Sequence, residues 1–269
     1  MQQSDKPGRV LIIAGSDSGG GAGIQADIKA VSAMGAYPMT AITAVTVQNT
    51  HGVSAIHPVP NAIVEGQIRA VLDDIGADTV KTGMLATAEV VELVAGILEG
   101  LETPLPLVLD PVMVSTSGHR LVDDGTEAAI RTRLLPLAAL VTPNIPEAAR
   151  LTGESVEDLG GQIAAAEALI AMGAKAALVK GGHLDCNVVS DVLVSTRGME
   201  IMERPRIRTR HTHGTGCTLA SAIAARLAGG EPLPEAVRTA GDYLHEAIAR
   251  APGLGGGNGP VDHMWVLRP

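Results

Sequence analysis

Aromatic side chains are almost absent from this sequence, which has two tyrosines, one tryptophan and no phenylalanine. Proteins that bind single-stranded bases stack them on aromatic rings, so this scarcity argues against such a ligand. Basic residues are also few, because 20 Lys and Arg stand against 29 Asp and Glu and the formal net charge is −9. No Lys/Arg-rich run offsets the acidic excess, which argues against a surface for a phosphate backbone. We predict no nucleic-acid partner.

Cysteine and long apolar runs are lacking as well. Cys186 and Cys217 are the two cysteines of the chain, and a disulfide framework in a chain of this length would use more, so both thiols are expected to be reduced. No stretch approaches the ~18 apolar residues of a membrane span. The apolar run within residues 1–15 is too short for a signal peptide. We predict a cytoplasmic protein with no membrane partner.

Apolar residues make up 46% of the 269 positions, a figure that includes the few aromatics. Most of them are Ala, Val, Leu, Ile and Met. Short β-type runs alternate with longer segments of helical periodicity. The predicted strands are 9–15, 41–47, 79–84, 106–112, 139–144, 175–182 and 189–195. The predicted helices are 24–34, 60–75, 87–100, 125–136, 160–173, 215–229 and 233–251. This alternation is typical of a mainly parallel sheet with helices on both faces, so we predict one α/β domain over residues 1–269.

Ligands of open α/β sheets bind beyond the carboxyl ends of the strands, and a glycine-rich segment follows the first predicted strand there. Its glycines Gly19, Gly20, Gly21 and Gly23 allow a close approach to a ligand and leave N–H groups of the next helix free. A dinucleotide-binding fold also begins this way, but no acidic residue ends a second strand to hold a ribose. A Walker A lysine is missing too. A flexible turn stays an alternative.

A second candidate anion site precedes the predicted helix at 215–229. Gly214, Thr215 and Gly216 place consecutive backbone N–H groups at the positive end of the helix dipole, which suits a phosphoryl group that gains charge. The alternative is a tight helix start without a ligand. His211, His213 and Cys217 have no spacing of a common structural zinc site, so we do not favour zinc.

Polar residues follow three further strands of the predicted sheet. Asn144 and Glu147 form an N-x-x-E pattern with Pro146 just inside the next helix, where a carboxylate either stabilises the helix or holds Mg²⁺ through water. Asp110 is a second acid at the same edge, and Lys180 ends another strand. A lysine there adds positive charge beside phosphate oxygens, or is simply exposed. Together with the two glycine-rich loops, these residues describe phosphoryl transfer better than any one motif does.

Eight segments in chain order resemble the hydroxymethylpyrimidine/phosphomethylpyrimidine kinases of thiamin biosynthesis, which belong to the ribokinase-like superfamily. They are IAGSDSGGGAGIQADIKA from residue 13, TAITAVTVQNTHGV from 40, KTGML from 81, LDPVMV from 109, TPNIPEA from 142, KGGHL from 180, THGTGCTLASAIAA from 212 and NGPVDH from 258. The resemblance implies a ribokinase-like three-layer α/β/α sandwich, ATP with Mg²⁺, and a homodimer. It also implies phosphorylation of 4-amino-5-hydroxymethyl-2-methylpyrimidine and then of its monophosphate.

The resemblance assigns substrate-binding roles to Gln48, Met84 and Val112, and we add Gly15 from the first loop. Gln48 is the expected pyrimidine-binding residue, with Met84 and Val112 as apolar walls. A carboxamide presents an acceptor beside a donor, which complements an exocyclic amine beside a ring nitrogen. A structural glutamine is the alternative. Aliphatic and thioether walls would replace stacking in a chain with few aromatics.

The resemblance also distributes the catalytic and cofactor roles. Gly214, Thr215 and Gly216 would form the anion hole, Lys180 and Asn144 would lie near the phosphates, and Asp110 with Glu147 near the metal. Thr215 is expected to contact the nucleotide as well. Where many relatives carry lysine and aspartate, this chain has Thr116 and His119, so no phosphate-binding role is assigned there. The tail 255–265 matches a family ending to which the sequence gives no function.

Cys217 stands where most ribokinase-like sugar kinases have an aspartate base. A phosphate monoester with a second pKa of ~6 is already largely dianionic at neutral pH and needs no base. The alcohol does, and a thiol whose pKa of ~8.5 is lowered by a helix N-terminus could serve. The sequence therefore predicts that Cys217→Ala impairs phosphorylation of the alcohol more than that of the monophosphate.

Two other functions stay open at the level of sequence. A pyridoxine or pyridoxal kinase of the same superfamily phosphorylates a similar hydroxymethyl group on a heteroaromatic ring, although the QNT segment at 48–50 favours the pyrimidine. A non-catalytic nucleotide or vitamin sensor on a kinase fold is the alternative from another class. The presence of Lys180, Glu147 and the Gly-Thr-Gly loop argues against lost activity.

Overall fold

The computed structural model describes residues 6–114, 118, 120–184 and 186–268. Within these ranges, nine strands form one sheet. They are β1 (Arg9–Ser16), β2 (Tyr37–Asn49), β3 (Gly52–Pro58), β4 (Thr79–Thr82), β5 (Leu107–Leu109), β6 (Ala138–Val141), β7 (Ala176–Val179), β8 (Val188–Ser195) and β9 (Gly198–Pro205). Their spatial order is β3-β2-β1-β4-β5-β6-β7-β8-β9. The six strands from β2 to β7 in this order are parallel, and β3, β8 and β9 pair antiparallel at the two sides.

Helices cover both faces of this sheet. They are α1 (Gly23–Ala33), α2 (Asn61–Asp74), α3 (Ala88–Glu99), α4 (Asp124–Ala129), α5 (Ile145–Thr152), α6 (Leu159–Ala171), α7 (Thr215–Ala228) and α8 (Leu233–Ala249). One apolar core joins the sheet to α2 through α6, and a second joins its other face to α1, α7 and α8. The chain thus has the predicted three-layer ribokinase-like α/β/α fold.

Strand β1 shows why the sequence folds this way. Its run RVLIIAGS is apolar at nearly every position, as expected for a parallel strand that is covered on both faces. Leu11 and Ile13 enter the core below α2 and α3, whereas Val10 and Ile12 enter the core with α1 and α7. All four side chains are completely buried, so β1 lies at the centre of the molecule and delivers the first glycine-rich loop to the edge of the sheet.

The two sides of the sheet differ from the prediction. Strand β2 begins at Tyr37 rather than at residue 41. It forms a hairpin with β3, and β8 forms a second hairpin with β9. Strands β3 and β9 were absent from the predicted set. Both are largely exposed, and an edge strand of this kind lacks the continuous apolar run by which a buried parallel strand is recognised. The single domain over 1–269 stays a prediction.

Among the helices of the described ranges, none is both long and apolar enough to cross a membrane. The longest, α8, has 17 residues and carries several charged side chains on its exposed side.

The C-terminal tail, residues 251–268, packs along the edge of the sheet where the strands end. The N–H of Asn258 donates to the carbonyl oxygen of Thr50 in the β2–β3 turn (2.8 Å), and the N–H of His213 donates to that of Gly259 (3.1 Å). Further on, the Tyr243 hydroxyl donates to the carbonyl oxygen of His263 (2.7 Å). The tail therefore links the β2–β3 hairpin to the loop before α7, a role that the sequence did not reveal.

Acid is expected to destabilise the protein through His263. Burial, with the positive charge of Lys29 nearby, lowers the pKa of His263 to about 4. Because the folded pKa lies below the usual 6.5, protons bind preferentially to the unfolded chain. The neutral ring's contribution to the free energy of unfolding is fully present above pH 6.5 and is lost as the pH falls toward 4. The loss amounts to about 2–3 kcal/mol.

The measurement is urea unfolding of the wild type and of His263→Gln at pH 7 and pH 4.5. The variant is expected to lose less free energy of unfolding between the two pH values than the wild type does. The exposed His57 offers a matched control, since His57→Gln should keep the wild-type acid response. Equal acid responses of wild type and His263→Gln would contradict this prediction.

Candidate active site

A cleft of about 790 Å³ opens at the carboxyl edge of the parallel strands. All twelve residues that the sequence predicted for the site line it. They are Gly15, Gln48, Met84, Asp110, Val112, Asn144, Glu147, Lys180, Gly214, Thr215, Gly216 and Cys217. Thr116 and His119 lie outside the described residues. These residues are up to 202 positions apart in the chain. They could be selected from the sequence because ligands of open α/β sheets bind beyond the strand ends.

The second glycine-rich loop has the geometry of an anion site. Gly214 is the N-cap of α7 and has a φ of +79°, a left-handed conformation that favours glycine. A Cβ at Gly214 would lie 1.8 Å from the carbonyl oxygen of Gly21, so the two glycine-rich loops are in direct contact. No described side chain caps this helix start. The N–H of Thr215 donates to the Thr212 carbonyl oxygen (3.3 Å), which leaves the N–H groups that follow it and the positive end of the helix dipole for an anion in the cleft.

The first glycine-rich loop differs from the prediction. Three of its N–H groups donate to the Asp17 carboxylate, namely those of Gly19 (2.8 Å), Gly21 (3.0 Å) and Ala22 (2.8 Å). The expectation that this loop offers free N–H groups to an anion is therefore wrong at these positions, because Asp17 already accepts from them. Its glycines instead permit close packing, since a Cβ at Gly21 would lie 2.5 Å from the His213 ring.

A chain of buried charges lies beneath the loops. Lys81 is completely buried, and its Nζ lies 2.8 Å from Asp27 and 4.0 Å from Asp110. Asp110 also faces Lys180 at 3.4 Å, and the Ser221 hydroxyl donates to Asp27 at 2.7 Å. Burial lowers the pKa of Lys81, but Asp27, with Cys217 and Asp110, raises it above its usual value. Charges thus alternate from Asp27 through Lys81 and Asp110 to Lys180.

Lys180 is not the exposed strand-end lysine that the sequence left open, because its side chain is only 13% exposed. Its N–H donates to the Pro143 carbonyl oxygen (2.9 Å), and this bond sets the end of β7 beside Asn144. Burial lowers its pKa, but the carboxylates of Asp110 and Glu147 raise it above its usual value. A permanent positive charge therefore stands at the cleft wall.

Asn144 and Glu147 form a capping box at the start of α5. The Asn144 side chain accepts from the N–H of Glu147 (2.9 Å), and the Glu147 carboxylate accepts from the N–H of Asn144 (2.8 Å). The helix-stabilising explanation is thus present in the structure. Burial raises the pKa of Glu147 to about 7, opposed by Lys180 and assisted by Asp110. The same carboxylate lines the cleft and lies within electrostatic range of Asp110.

Asp110 and Glu147 are the two carboxylates that the sequence predicted near a metal ion. In the described ranges, no group of three or more His, Cys, Asp or Glu side chains could hold a metal ion. Two acids are nevertheless compatible with Mg²⁺, which keeps several waters and binds nucleotide phosphates. Asp110 Oδ2 is buried without a hydrogen-bond partner among the described residues. An unsatisfied carboxylate oxygen of this kind fits a cation.

Cys217 lies half-buried in the first turn of α7. Burial raises the pKa of its thiol to about 12, with Asp27 and Asp110 acting in the same direction against Lys81 and a Gly23 amide. The prediction that the helix N-terminus lowers this pKa is therefore wrong. Burial of the sulfur and the two nearby carboxylates each raise the pKa of the thiol, and together they outweigh the lowering effect expected of the helix dipole.

The four residues predicted to bind a ring all line the cleft, and their role stays a prediction. The carboxamide of Gln48 projects into the cleft near His213. Met84 lies over Gly15, since a Cβ at Gly15 would come within 2.4 Å of the Met84 methyl group. Val112 contributes a partly buried wall.

Sequence reasoning gave no role to Asp17, Asp27 and Lys81. Asp27 is a charged residue on the buried face of α1, and Lys81 is the charged residue of β4, a strand whose four residues are all buried. Each breaks the pattern of its own element, and this was the available signal. Their pairing across 54 positions becomes visible only in the folded chain.

An open parallel sheet, an uncapped glycine-rich helix start and buried lysines at the cleft define an enzyme of the ribokinase-like class that transfers phosphoryl groups to small molecules. A family model described as phosphomethylpyrimidine kinase matches residues 17–262. The hydroxymethylpyrimidine/phosphomethylpyrimidine kinase of Streptomyces coelicolor is 51% identical over 261 residues, covering 97% of this chain and 96% of that protein. The chain belongs to the phosphomethylpyrimidine kinase family.

Solved structures give the same class. Phosphomethylpyrimidine kinase from Clostridium difficile 630 is similar with a TM-score of 0.80 at 41% identity, covering 89% of this chain and 99% of that one. The ADP complex of Bacillus subtilis pyridoxal kinase has a TM-score of 0.91 at 34% identity, covering 98% of this chain and 100% of that one. The fold is therefore shared by a phosphomethylpyrimidine kinase and a pyridoxal kinase.

Proposed function

We propose that this phosphotransferase moves the γ-phosphoryl group of ATP to the hydroxymethyl group of 4-amino-5-hydroxymethyl-2-methylpyrimidine and then to the resulting monophosphate, in thiamin biosynthesis. The observation that carries the proposal is the position of Gly216. A Cβ there would lie 3.2 Å from Lys180 Nζ and 3.9 Å from Asp110. The uncapped helix start and the buried lysine thus converge on one small volume, which suits a phosphoryl group in transfer.

In this proposal the protein acts mainly by position and charge. The N–H groups of the loop from Gly214 to Gly216 stabilise the charge on the transferring group, and Lys180 adds a fixed cation beside it. Asn144, Lys180 and Thr215 contact the nucleotide phosphates. Asp110 and Glu147 would hold Mg²⁺, which supplies neutralisation of phosphate charge when bound. Burial raises the pKa of Glu147 to about 7, and a bound cation would favour its ionised form.

Gln48 is proposed to select the ring. Its carboxamide offers an acceptor and a donor side by side, the complement of an amine next to a ring nitrogen. Gly15, Met84 and Val112 would enclose the ring. The hydroxymethyl group then points toward the loop from Gly214 to Gly216, since both sites line the same cleft.

Cys217 is not proposed as a thiolate base, because its pKa near 12 keeps the thiol protonated at neutral pH. We now expect Cys217→Ala to lower kcat/KM for the alcohol and for the monophosphate by similar factors. The measurement is steady-state turnover with each acceptor at saturating ATP, with Cys186→Ala as the control thiol. A loss confined to the alcohol would restore the base assignment.

The second candidate is a pyridoxine or pyridoxal kinase, which the similarity to the pyridoxal kinase structure favours. ADP release with the pyrimidine alcohol, its monophosphate and pyridoxine, measured side by side, separates the candidates. We expect turnover of both pyrimidines and a much lower kcat/KM for pyridoxine. Turnover of pyridoxine alone would support the vitamin B6 kinase, and no turnover of any acceptor would support a sensor.

Two finer properties belong to the same proposal. We propose a homodimer, supported by the exposed Val45 (50%) and Val47 (60%) on β2, since apolar side chains in one exposed row favour association. Sedimentation equilibrium of the purified protein tests it. We propose a cytoplasmic location because the ATP and the reduced thiols that the site needs are found there.

A further inference from the structure

Four side chains from β2 and from the two glycine-rich loops form a hydrogen-bonded chain at the ring-binding end of the cleft. His213 Nε2 lies 2.9 Å from Asp17 Oδ2 and 3.3 Å from the amide nitrogen of Gln48. The Thr46 hydroxyl lies 3.2 Å from the amide oxygen of Gln48 and donates to the Ser16 carbonyl oxygen at 2.8 Å. Both ends of the Gln48 carboxamide therefore have a protein neighbour.

The proton positions in this chain follow from the donor inventory. Asp17 accepts from the loop N–H groups described above, and its pKa is lowered because the hydrogen bonds from His213 and the loop amides outweigh its burial. Asp17 is thus a carboxylate, which can only accept. His213 Nε2 must then carry the proton between them. The single proton of the Thr46 hydroxyl is likewise committed, since it goes to Ser16.

These proton positions determine which way the carboxamide faces. Rotation of the amide by 180° fits the same volume, and the hydrogen-bond network decides between the two orientations. With nitrogen toward His213, two N–H donors would face each other, and Thr46 would have no proton for the amide oxygen. With oxygen toward His213, the Nε2–H that donates to Asp17 at 2.9 Å has the amide oxygen as a second, longer acceptor in a three-centre bond, and the amide NH₂ donates to Thr46. The second orientation therefore places no two donors against each other.

The rotated carboxamide keeps one lone pair and one N–H free. We propose that His213, held by Asp17, is a positioning residue that fixes the polarity of the Gln48 carboxamide and so selects rings with an amine beside an acceptor nitrogen. This inference rests on the proposed contact between Gln48 and the ring. The substrate cannot turn over to match the opposite polarity, because its hydroxymethyl group has to face Gly214 to Gly216.

The surroundings hold the His213 ring in place. The ring is almost completely buried, as is Asp17. Its Cδ2 atom packs against Gly21, where a Cβ would approach within 2.5 Å, and its backbone N–H is bound by Gly259 of the tail. A ring confined in this way cannot swing aside to let the amide rotate. The polarity is therefore built into the fold.

The test uses two acceptors that differ only in polarity: the 4-amino pyrimidine alcohol and its 4-oxo analogue, in which the exocyclic oxygen accepts and the ring N–H donates. The wild type is expected to prefer the amine by roughly 10²-fold in kcat/KM. His213→Ala is expected to reduce this preference to about threefold, mainly through KM, while KM for ATP stays unchanged. His213→Gln restores a donor and is expected to recover most of the preference.

Two controls separate the failure of this inference from the failure of the proposed function. His211→Ala changes the same loop without touching Gln48 and is expected to keep the wild-type preference. Gln48→Ala is expected to abolish it. If Gln48→Ala keeps the preference, the proposed ring contact is wrong. If Gln48→Ala abolishes it and His213→Ala does not, the inference about His213 alone is overturned.

A measurement on the unaltered protein keeps the inference testable if a variant fails to fold. Nitrogen-15 NMR of labelled histidine distinguishes a protonated Nε2 from an unprotonated one. We expect the His213 signal to show a protonated Nε2. An Nδ1–H tautomer with a bare Nε2 would place the amide nitrogen toward His213 and overturn the inference.

Discussion

Gly216→Val is expected to lower kcat by ~10²- to 10³-fold, the usual effect of removing a preorganised donor to a developing anion, while the fold persists. The added side chain would enter the space between the helix start and Lys180, where a Cβ alone comes within 3.2 Å of Nζ. Gly216 lies in the first turn of α7 and has no left-handed backbone requirement. The loss would therefore arise in the site rather than in the backbone. Turnover with ATP and the pyrimidine alcohol, together with a melting curve, measures both effects.

A second glycine provides the matched control. Gly66 lies within α2, and a Cβ there would contact nothing within 4 Å. Gly66→Val therefore places the same β-branched side chain in a helix without reaching the cleft. Its turnover is expected to equal that of the wild type. Near-normal turnover by a folded Gly216→Val variant would reject the anion-hole assignment.

Lys81→Met is expected to cost about 3–5 kcal/mol of unfolding free energy, the usual result when one partner of a buried ion pair is removed. The change leaves Asp27 buried with only Ser221 as a hydrogen-bond donor, and it removes one of two cations beside Asp110. Burial already raises the pKa of Asp27 against the effect of Lys81. Urea unfolding near pH 7 measures the loss.

Two further variants test whether the stability loss of Lys81→Met comes from the buried ion pair. Arg69→Met breaks an exposed ion pair with Glu65 on α2 and is expected to cost less than about 1 kcal/mol. Asp27→Leu combined with Lys81→Met removes both buried charges and is expected to regain much of the stability. A loss below about 1 kcal/mol for Lys81→Met alone would show that water or neighbouring groups replace its charge.

The parts of the fold that could be predicted are those whose sequence pattern is determined by burial on both faces. Strands β1 and β5 were recognised from their apolar runs. Strands β3 and β9 could not be recognised, because an exposed hairpin strand has no such run and its pairing depends on the turn. The extra length of β2 has two causes, because residues 37–40 pair with β1 whereas Gln48 and Asn49 pair with β3.

The positions of the site residues could be predicted because parallel strands end at one edge, which brought Asp110, Asn144 and Lys180 together from their strand ends alone. Their electrostatics could not be predicted. The pKa of Cys217 is raised mainly by burial and further by Asp27 and Asp110, two residues from distant parts of the chain. Likewise, Gln48 and His213 are 165 positions apart, and no local pattern joins them.

The link between the tail and the β2–β3 turn has a consequence for biosynthesis. Chains fold from the N-terminus while they leave the ribosome, so β2, the first glycine-rich loop and the phosphate-binding residues emerge well before Asn258 and Gly259. The hydrogen bonds that hold Thr50 and the His213 backbone form only after that. The arrangement that selects the ring therefore cannot be completed before residues 258 and 259 have been synthesised.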